Sequence, residues 1–176
     1  MDAQRGRTNR RRFLLIAGLP LLAVGGGMTY LLWPEPPSPN PFTVRTDAEP
    51  LNTRFGPWLG ELTDPHWLGY DIDEAAAGGD RFIPGPDPRI RLVGVARLPA
   101  GGAAALAGVP GRTFTPAALP ELPGPLKPHL PAEATWQHSP EFDAYANHEA
   151  TDGHPTGRYL IDVARDLVCF DVVYIY

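Results

Sequence analysis

Residues Phe13 to Trp33 contain no charged side chain. At about 1.5 Å of rise per residue, this run makes a helix of roughly 31 Å, enough to cross the hydrocarbon core of a bilayer. Phe13, Leu14, Leu15, Ile16, Leu19, Leu21, Leu22 and Val24 supply most of its apolar surface. Gly18, Pro20 and Gly25-Gly26-Gly27 would weaken a soluble helix, but both residue types are commoner in membrane helices. Tyr30 and Trp33 fall at the far end, where amphipathic rings prefer the headgroup level. Five arginines (Arg5, Arg7, Arg10, Arg11, Arg12) and one acid, Asp2, lie in front. Arginine resists translocation, which predicts a cytoplasmic N-terminus and an outward-facing chain after Trp33. The competing reading is a core helix of a soluble protein. The length of the run and its one-sided arginines oppose that reading.

Removal of the segment would need small residues spaced as in Ala-x-Ala. After the apolar core the chain reads Met28-Thr29-Tyr30-Leu31-Leu32-Trp33-Pro34, which is bulky where a peptidase needs small side chains. Ala23-Val24-Gly25 lies inside the apolar run. A lipoprotein signal would need a cysteine here, and the chain's single cysteine is Cys169. Retention as a single-pass anchor is therefore expected.

The arginines carry a second signal. Asn9-Arg10-Arg11-Arg12-Phe13-Leu14 resembles the twin-arginine export signal of bacteria, in which two arginines, a free position, Phe and Leu precede a moderately apolar stretch. Arg10, Arg11, Phe13 and Leu14 would be the targeting residues. Asn9 replaces the usual Ser or Thr, and Leu15 stands where Lys is frequent. A basic flank that only sets topology is the other reading of the same residues.

The portion from Pro34 to Tyr176 is one domain of ordinary size at most. Fifteen Lys+Arg less the five leading arginines, and twenty Asp+Glu less Asp2, leave ten basic and nineteen acidic residues, a net charge of −9. Phosphate backbones repel such a domain, so no nucleic-acid partner is expected. A lone Cys169 in the apolar run Leu167-Val168-Cys169-Phe170 excludes an internal disulfide and reads as a buried small hydrophobe.

Pro34-Glu35-Pro36-Pro37-Ser38-Pro39-Asn40-Pro41 predicts an extended polyproline spacer, about 25 Å long at ~3.1 Å per residue. Phe42 to Arg45 suits a short strand. Leu51, Phe55, Trp58, Leu59 and Leu62 recur at helical spacing, while Gly56, Pro57 and Gly60 oppose a helix. Trp58, Trp67 and Tyr70 are expected to cap one end of the core. Arg89 to Leu98 alternates, with Ile90, Leu92, Gly94, Ala96 and Leu98 facing one way and Arg89, Arg91, Val93, Val95 and Arg97 the other. That predicts a half-exposed antiparallel strand. Pro99 to Gly108 suits a short Ala-rich helix. Val109 to Pro131 holds seven prolines and cannot be a central strand or a long helix. It reads as a loop wrapping the domain, with Phe114, Leu119, Leu122, Leu126 and Leu130 as anchors. Ser139-Pro140-Glu141 starts a helix, with Phe142, Tyr145 and Ala146 on its apolar face. Arg158 to Val163 and Leu167 to Tyr176 form a hairpin whose second strand is apolar on both faces, hence central.

Two clusters carry the residue types that chemistry requires. His148, Asp152 and His154, with Glu149 between, could ligate a divalent cation, although Gly153 and Pro155 place them in a turn that reads equally as a solvated loop. Asp64, His66, Asp71, Asp73 and Glu74 lie beside two tryptophans and could serve acid–base hydrolysis, or form a turn and a solvated edge. Ser38 and Ser139 lack a nucleophile-elbow setting. Arg89, Arg91 and Arg97 make a basic stripe that could hold an anion or pair with the many acids. No cofactor is expected.

Ile83-Pro84-Gly85-Pro86-Asp87, the arginine-flanked strand after it, Trp136 to Ser139 and the terminal hairpin together resemble uncharacterised membrane-anchored proteins of actinobacteria. The resemblance covers about 80–176 and implies placement, not an activity.

The expected fold class is α+β. A cytoplasmic flank (1–12), a transmembrane anchor or uncleaved signal (13–33) and a proline-rich linker (34–50) precede an extracytoplasmic domain (51–176). That domain would hold a small antiparallel sheet, one or two short helices and a C-terminal β-hairpin. The expected role is a binding module at the bacterial cell envelope, with an envelope protein or cell-wall component as partner. The alternative is a small envelope hydrolase using His66, or His148 and His154, with nearby carboxylates.

Overall fold

A computed structural model describes residues 42–76, 88–150 and 155–176. The expected anchor, its arginines and the spacer to Pro41 lie outside the described residues. The fold is α+β. In chain order it comprises α1 (Glu49–Leu59), β1 (Thr63–Asp71), α2 (Ile72–Ala76), β2 (Arg89–Arg97), α3 (Gly102–Ala107), β3 (Thr115–Pro116), a 3-10 helix (Gly124–His129), β4 (Gln137–His138), α4 (Pro140–Glu149), β5 (Thr156–Asp162) and β6 (Leu167–Ile175). The strands form one six-stranded sheet in the order β1-β2-β6-β5-β4-β3, antiparallel throughout.

The expected terminal hairpin is β5–β6, and β6 is central as its two apolar faces require. On one face, Leu92, Ala96, Val168, Phe170, Val172, Tyr174, Tyr159 and Ile161 meet α1, α3 and α4. On the other, Leu68, Val93, Val95, Leu160, Leu167 and Cys169 meet the proline-rich segment through Leu122, Leu126 and Trp136. The sheet is thus covered on both sides. Fully burying a large apolar side chain contributes roughly 1.5–3 kcal/mol, so both layers hold the sheet.

The ambiguous stretch after Ala48 is helical. Leu51, Phe55, Trp58 and Leu59 recur every three or four residues and are all buried. Pro57 sits inside the helix, and Gly60, at φ +80°, ends it by donating its N–H to Gly56 O. Asn52 then clamps the exit, accepting from Leu62 N at 2.7 Å and donating to Leu62 O at 3.1 Å.

Several expectations need correction. β2 is not half-exposed: its middle is buried on both faces, and only its arginine-bearing ends reach solvent. Tyr70 does not join Trp58 and Trp67. The tryptophans belong to the helical layer, and Tyr70 packs on the opposite side of the sheet. Tyr145 is not on the buried face of α4; it is 38% exposed, while Phe142 and Ala146 are buried. Strand β1 was masked in the sequence by the turn residues Asp64-Pro65. They occupy an irregular register between Thr63 and His66, with Asp64 at φ +48°.

Residues at the end of the expected 34–50 linker lie against β1. Arg45 and Trp67 exchange both backbone hydrogen bonds, at 2.8 and 3.0 Å. The Arg45 guanidinium lies 4.1 Å from the Trp67 ring centroid, and Trp67 Nε1 donates to Asp47 O at 3.0 Å.

Candidate binding surface

The proline-rich segment behaves as a strap across one face of the sheet. Leu122 and Leu126 are buried, and Leu119 and Leu130 pack partly beside them, while Phe114 reaches the helical layer. Prolines remove donors, so the strap holds itself with side chains and with few backbone bonds, among them Ala117 N to Trp136 O at 3.0 Å. Its return limb is pinned by Asp162. That fully buried carboxylate accepts from Thr135 N (2.9 Å), Ala164 N (2.9 Å), Arg165 N (3.2 Å) and Arg165 Nη1 (3.1 Å).

The two limbs of the strap leave an open groove of about 610 Å³ between them. Pro116, Ala117, Ala118 and Leu119 line one wall. Pro131, Ala132, Ala134, Thr135 and Trp136 line the other. The lining side chains are apolar except for Thr135, and exposed main-chain polar groups share the surface with them. Pro116 sits on the outermost strand and offers no N–H, so a ligand here would be held by side-chain contact rather than by adding a strand.

A second hollow of about 530 Å³ lies between Phe42, Arg91, Lys127 and residues Glu121 to Gly124. Its guanidinium is committed. Arg91 donates Nε to Asp171 Oδ1 at 2.7 Å, Nη2 to Asp171 Oδ2 at 2.8 Å and Nη1 to Tyr70 Oη at 3.0 Å. The hydrogen bonds it donates to Asp171 push the guanidinium pKa further up, so it stays charged at any working pH. An anion arriving here would meet Asp171 and Glu121 as well as the cations.

The carboxylates singled out in the sequence are occupied. Asp71 Oδ1 accepts from Asp73 N (2.8 Å) and Glu74 N (3.3 Å), capping α2. Asp73 takes Arg89 at 2.5 and 3.0 Å. His66 faces the strap, stacked on His129 with ring centroids 4.1 Å apart and planes 21° apart. His148 lies on α4, in the layer on the other side of the sheet. Its side chain is 87% exposed, 3.7 Å from Glu149 Oε1. Asp152 and His154 lie outside the described residues, as do Arg10, Arg11, Phe13 and Leu14. Among the described residues no three His, Cys, Asp or Glu side chains gather as metal ligands would, and no helix is long and apolar enough to cross a membrane.

No protein-family model, curated protein or solved structure matches the chain.

Burial pushes the Cys169 thiol up to about 12, and nearby Asp171 adds to the rise. It is a core side chain, not a nucleophile. Ser139 is the N-cap of α4: its Oγ accepts from Phe142 N at 3.2 Å and donates to Glu141 Oε2 at 2.8 Å.

Two pairings escaped the sequence reading. His138 Nε2 meets Asp143 Oδ2 at 2.5 Å, both side chains being largely enclosed. With Ser139 as N-cap these are the N′ and N4 positions, which normally carry a hydrophobic staple, so the spacing did hold a signal. Burial raises the Asp143 pKa, opposed by His138 and by the Tyr159 N–H that donates to Oδ1 at 2.9 Å. His138 ties α4 to β4, and the Tyr159 N–H ties it to β5. The His66–His129 stack joins residues far apart in sequence and had no local signal.

Proposed function

We propose that the chain is a single-pass protein of the bacterial envelope. Residues 13–33 anchor it, Arg10, Arg11, Phe13 and Leu14 direct its export, and the folded domain outside binds a partner. The arginine flank and the uncharged run support the placement. The resemblance to actinobacterial membrane-anchored proteins points the same way.

The observation that carries the binding role is the apolar groove between Leu119 and Trp136. Its walls present apolar side chains beside exposed main-chain groups, a mixed concave surface of the kind that binds partners. The partner is an envelope protein or cell-wall component presenting apolar groups without a free strand edge. A hydrolase built from the notable histidines would need them in one pocket, and His66 and His148 belong to opposite faces of the sheet.

Photo-crosslinking in living cells tests this. A crosslinker at Ala118, in the groove, is expected to give a discrete adduct that one at exposed Glu61 does not. Leu119→Arg in the same chain is expected to abolish it. Identical adduct patterns from both positions would refute a groove-directed role.

A further inference from the structure

Asp64 and Pro65 have no partners in the β1–β2 ladder, whose register breaks between Thr63 and His66. A proline drives the residue before it toward extended backbone, because its Cδ crowds that residue's N–H and Cβ. Asp64 instead sits at φ +48°, in the left-handed region. Its surroundings impose this. Pro65 is buried. On one side Leu62 is clamped by Asn52, and on the other Trp67 exchanges two backbone hydrogen bonds with Arg45. A strained backbone held by such over-determination is a common mark of a functional position.

The Asp64 side chain is exposed and has no hydrogen-bond or ion-pair partner among the described residues. Its carboxyl is free to turn back on its own carbonyl carbon, a ring closure that proximity favours. The leaving atom would be a proline nitrogen, which is more basic than an ordinary peptide nitrogen and takes up the departing proton more readily.

We propose that the Asp64–Pro65 bond is an acid-promoted self-cleavage site. An Oδ of Asp64 bonds to the Asp64 carbonyl carbon and closes a five-membered cyclic anhydride. The C–N bond to Pro65 breaks, and the carboxyl proton passes to the proline nitrogen, which leaves as a secondary amine. One water then opens the anhydride and restores the side-chain carboxyl beside a new α-carboxyl. Nothing is oxidised or reduced. Cutting relieves the strain at Asp64, and relief of about 1.4 kcal/mol corresponds to a tenfold faster step. α1 buries Leu51, Phe55 and Trp58 against the sheet, so residues 1–64 stay seated on 65–176 without a covalent bond.

The chain supplies its own control, because Asp87–Pro88 is the other bond of this type. Purified full chain is held at about pH 4, where a carboxyl is partly protonated, folded or in urea, and its fragments are followed by mass. Fragments 1–64 and 65–176 are expected about tenfold faster from the folded chain than in urea. The Asp87–Pro88 bond should show no such gain. Asp64→Asn, which suits left-handed backbone but lacks the carboxyl, should stay whole at residue 64. The proposal is overturned if the folded chain is cut at 64–65 no faster than the unfolded one, if both bonds gain equally, or if Asp64→Asn is cut there at the wild-type rate.

Discussion

Arg91 and Asp171 meet in a two-pronged ion pair, Nε to Oδ1 at 2.7 Å and Nη2 to Oδ2 at 2.8 Å, across eighty residues of sequence. Their side chains are 24% and 17% exposed, so the pair is shielded without being sealed. It ties β2 to β6 under the strap. Asp171→Ala would leave a guanidinium partly buried beside Tyr70 and is expected to cost about 2–3 kcal/mol, below the figure for a fully buried pair because water still reaches it. The double variant Arg91→Met, Asp171→Leu should recover most of that loss. Urea unfolding of the three proteins checks it; a single variant within about 0.5 kcal/mol of wild type would show the pair to be idle.

Gly94 on β2 lies opposite Trp67 of β1. A Cβ there would meet His66 O at 2.5 Å and Trp67 Cβ at 2.6 Å, main-chain and Cβ atoms of β1 rather than the far ends of flexible side chains. Gly94→Ala should therefore destabilise by about 2–3 kcal/mol through overpacking. Gly124, with nothing within 4 Å of its would-be Cβ, supplies the control. Gly124→Ala should leave stability unchanged or raise it by up to about 1 kcal/mol. Equal melting of the two variants would contradict the packing of β1 on β2.

What the sequence revealed was local. Ser139-Pro140 marked a helix start because the cap and the fixed proline φ act within one turn. The hairpin was visible because β-branched and aromatic residues alternate on both sides of a short turn. The strap's leucine anchors stood out against its prolines. What failed was non-local. Arg91 read as a solvent-facing residue because nothing near it in sequence shows that Asp171 and Tyr70 will come to it. Tyr70 is three residues from Trp67, and in a strand that separation points their side chains to opposite faces, so the two do not share one end of the core. The groove was not foreseen at all, since its walls come from the two ends of a segment with no regular period.

Asp143 sets a pH dependence whose sign follows from its burial. Its folded pKa lies above the ordinary value of 3.8, with burial as the main cause and His138, Arg158 and the Tyr159 N–H opposing. The folded state therefore holds the proton more tightly than the unfolded one. The associated stability is complete below pH 3.8 and is lost as pH rises through the raised folded value. Asp143→Asn removes that titration. Across urea midpoints measured from pH 3 upward, the wild type should lose ground relative to the variant as pH rises above about 4. A wild type that gains ground over that window would contradict the assignment.

Cys169 is fully buried on central strand β6, and its thiol is pushed up to about 12. Only thiolate reacts with disulfide reagents, so the native domain should be inert to them at neutral pH and react with one equivalent after unfolding in urea. Rapid stoichiometric labelling of the native protein would place Cys169 outside the core.

An outward-facing domain held by residues 13–33 is tested most directly by protease treatment of intact spheroplasts producing the full chain with a C-terminal tag. The expected result is a tag lost to external protease, while an alkaline carbonate wash leaves the untreated protein in the membrane pellet. A tag that survives until the membrane is broken, or a chain recovered in the soluble fraction with its first residues intact, would contradict it.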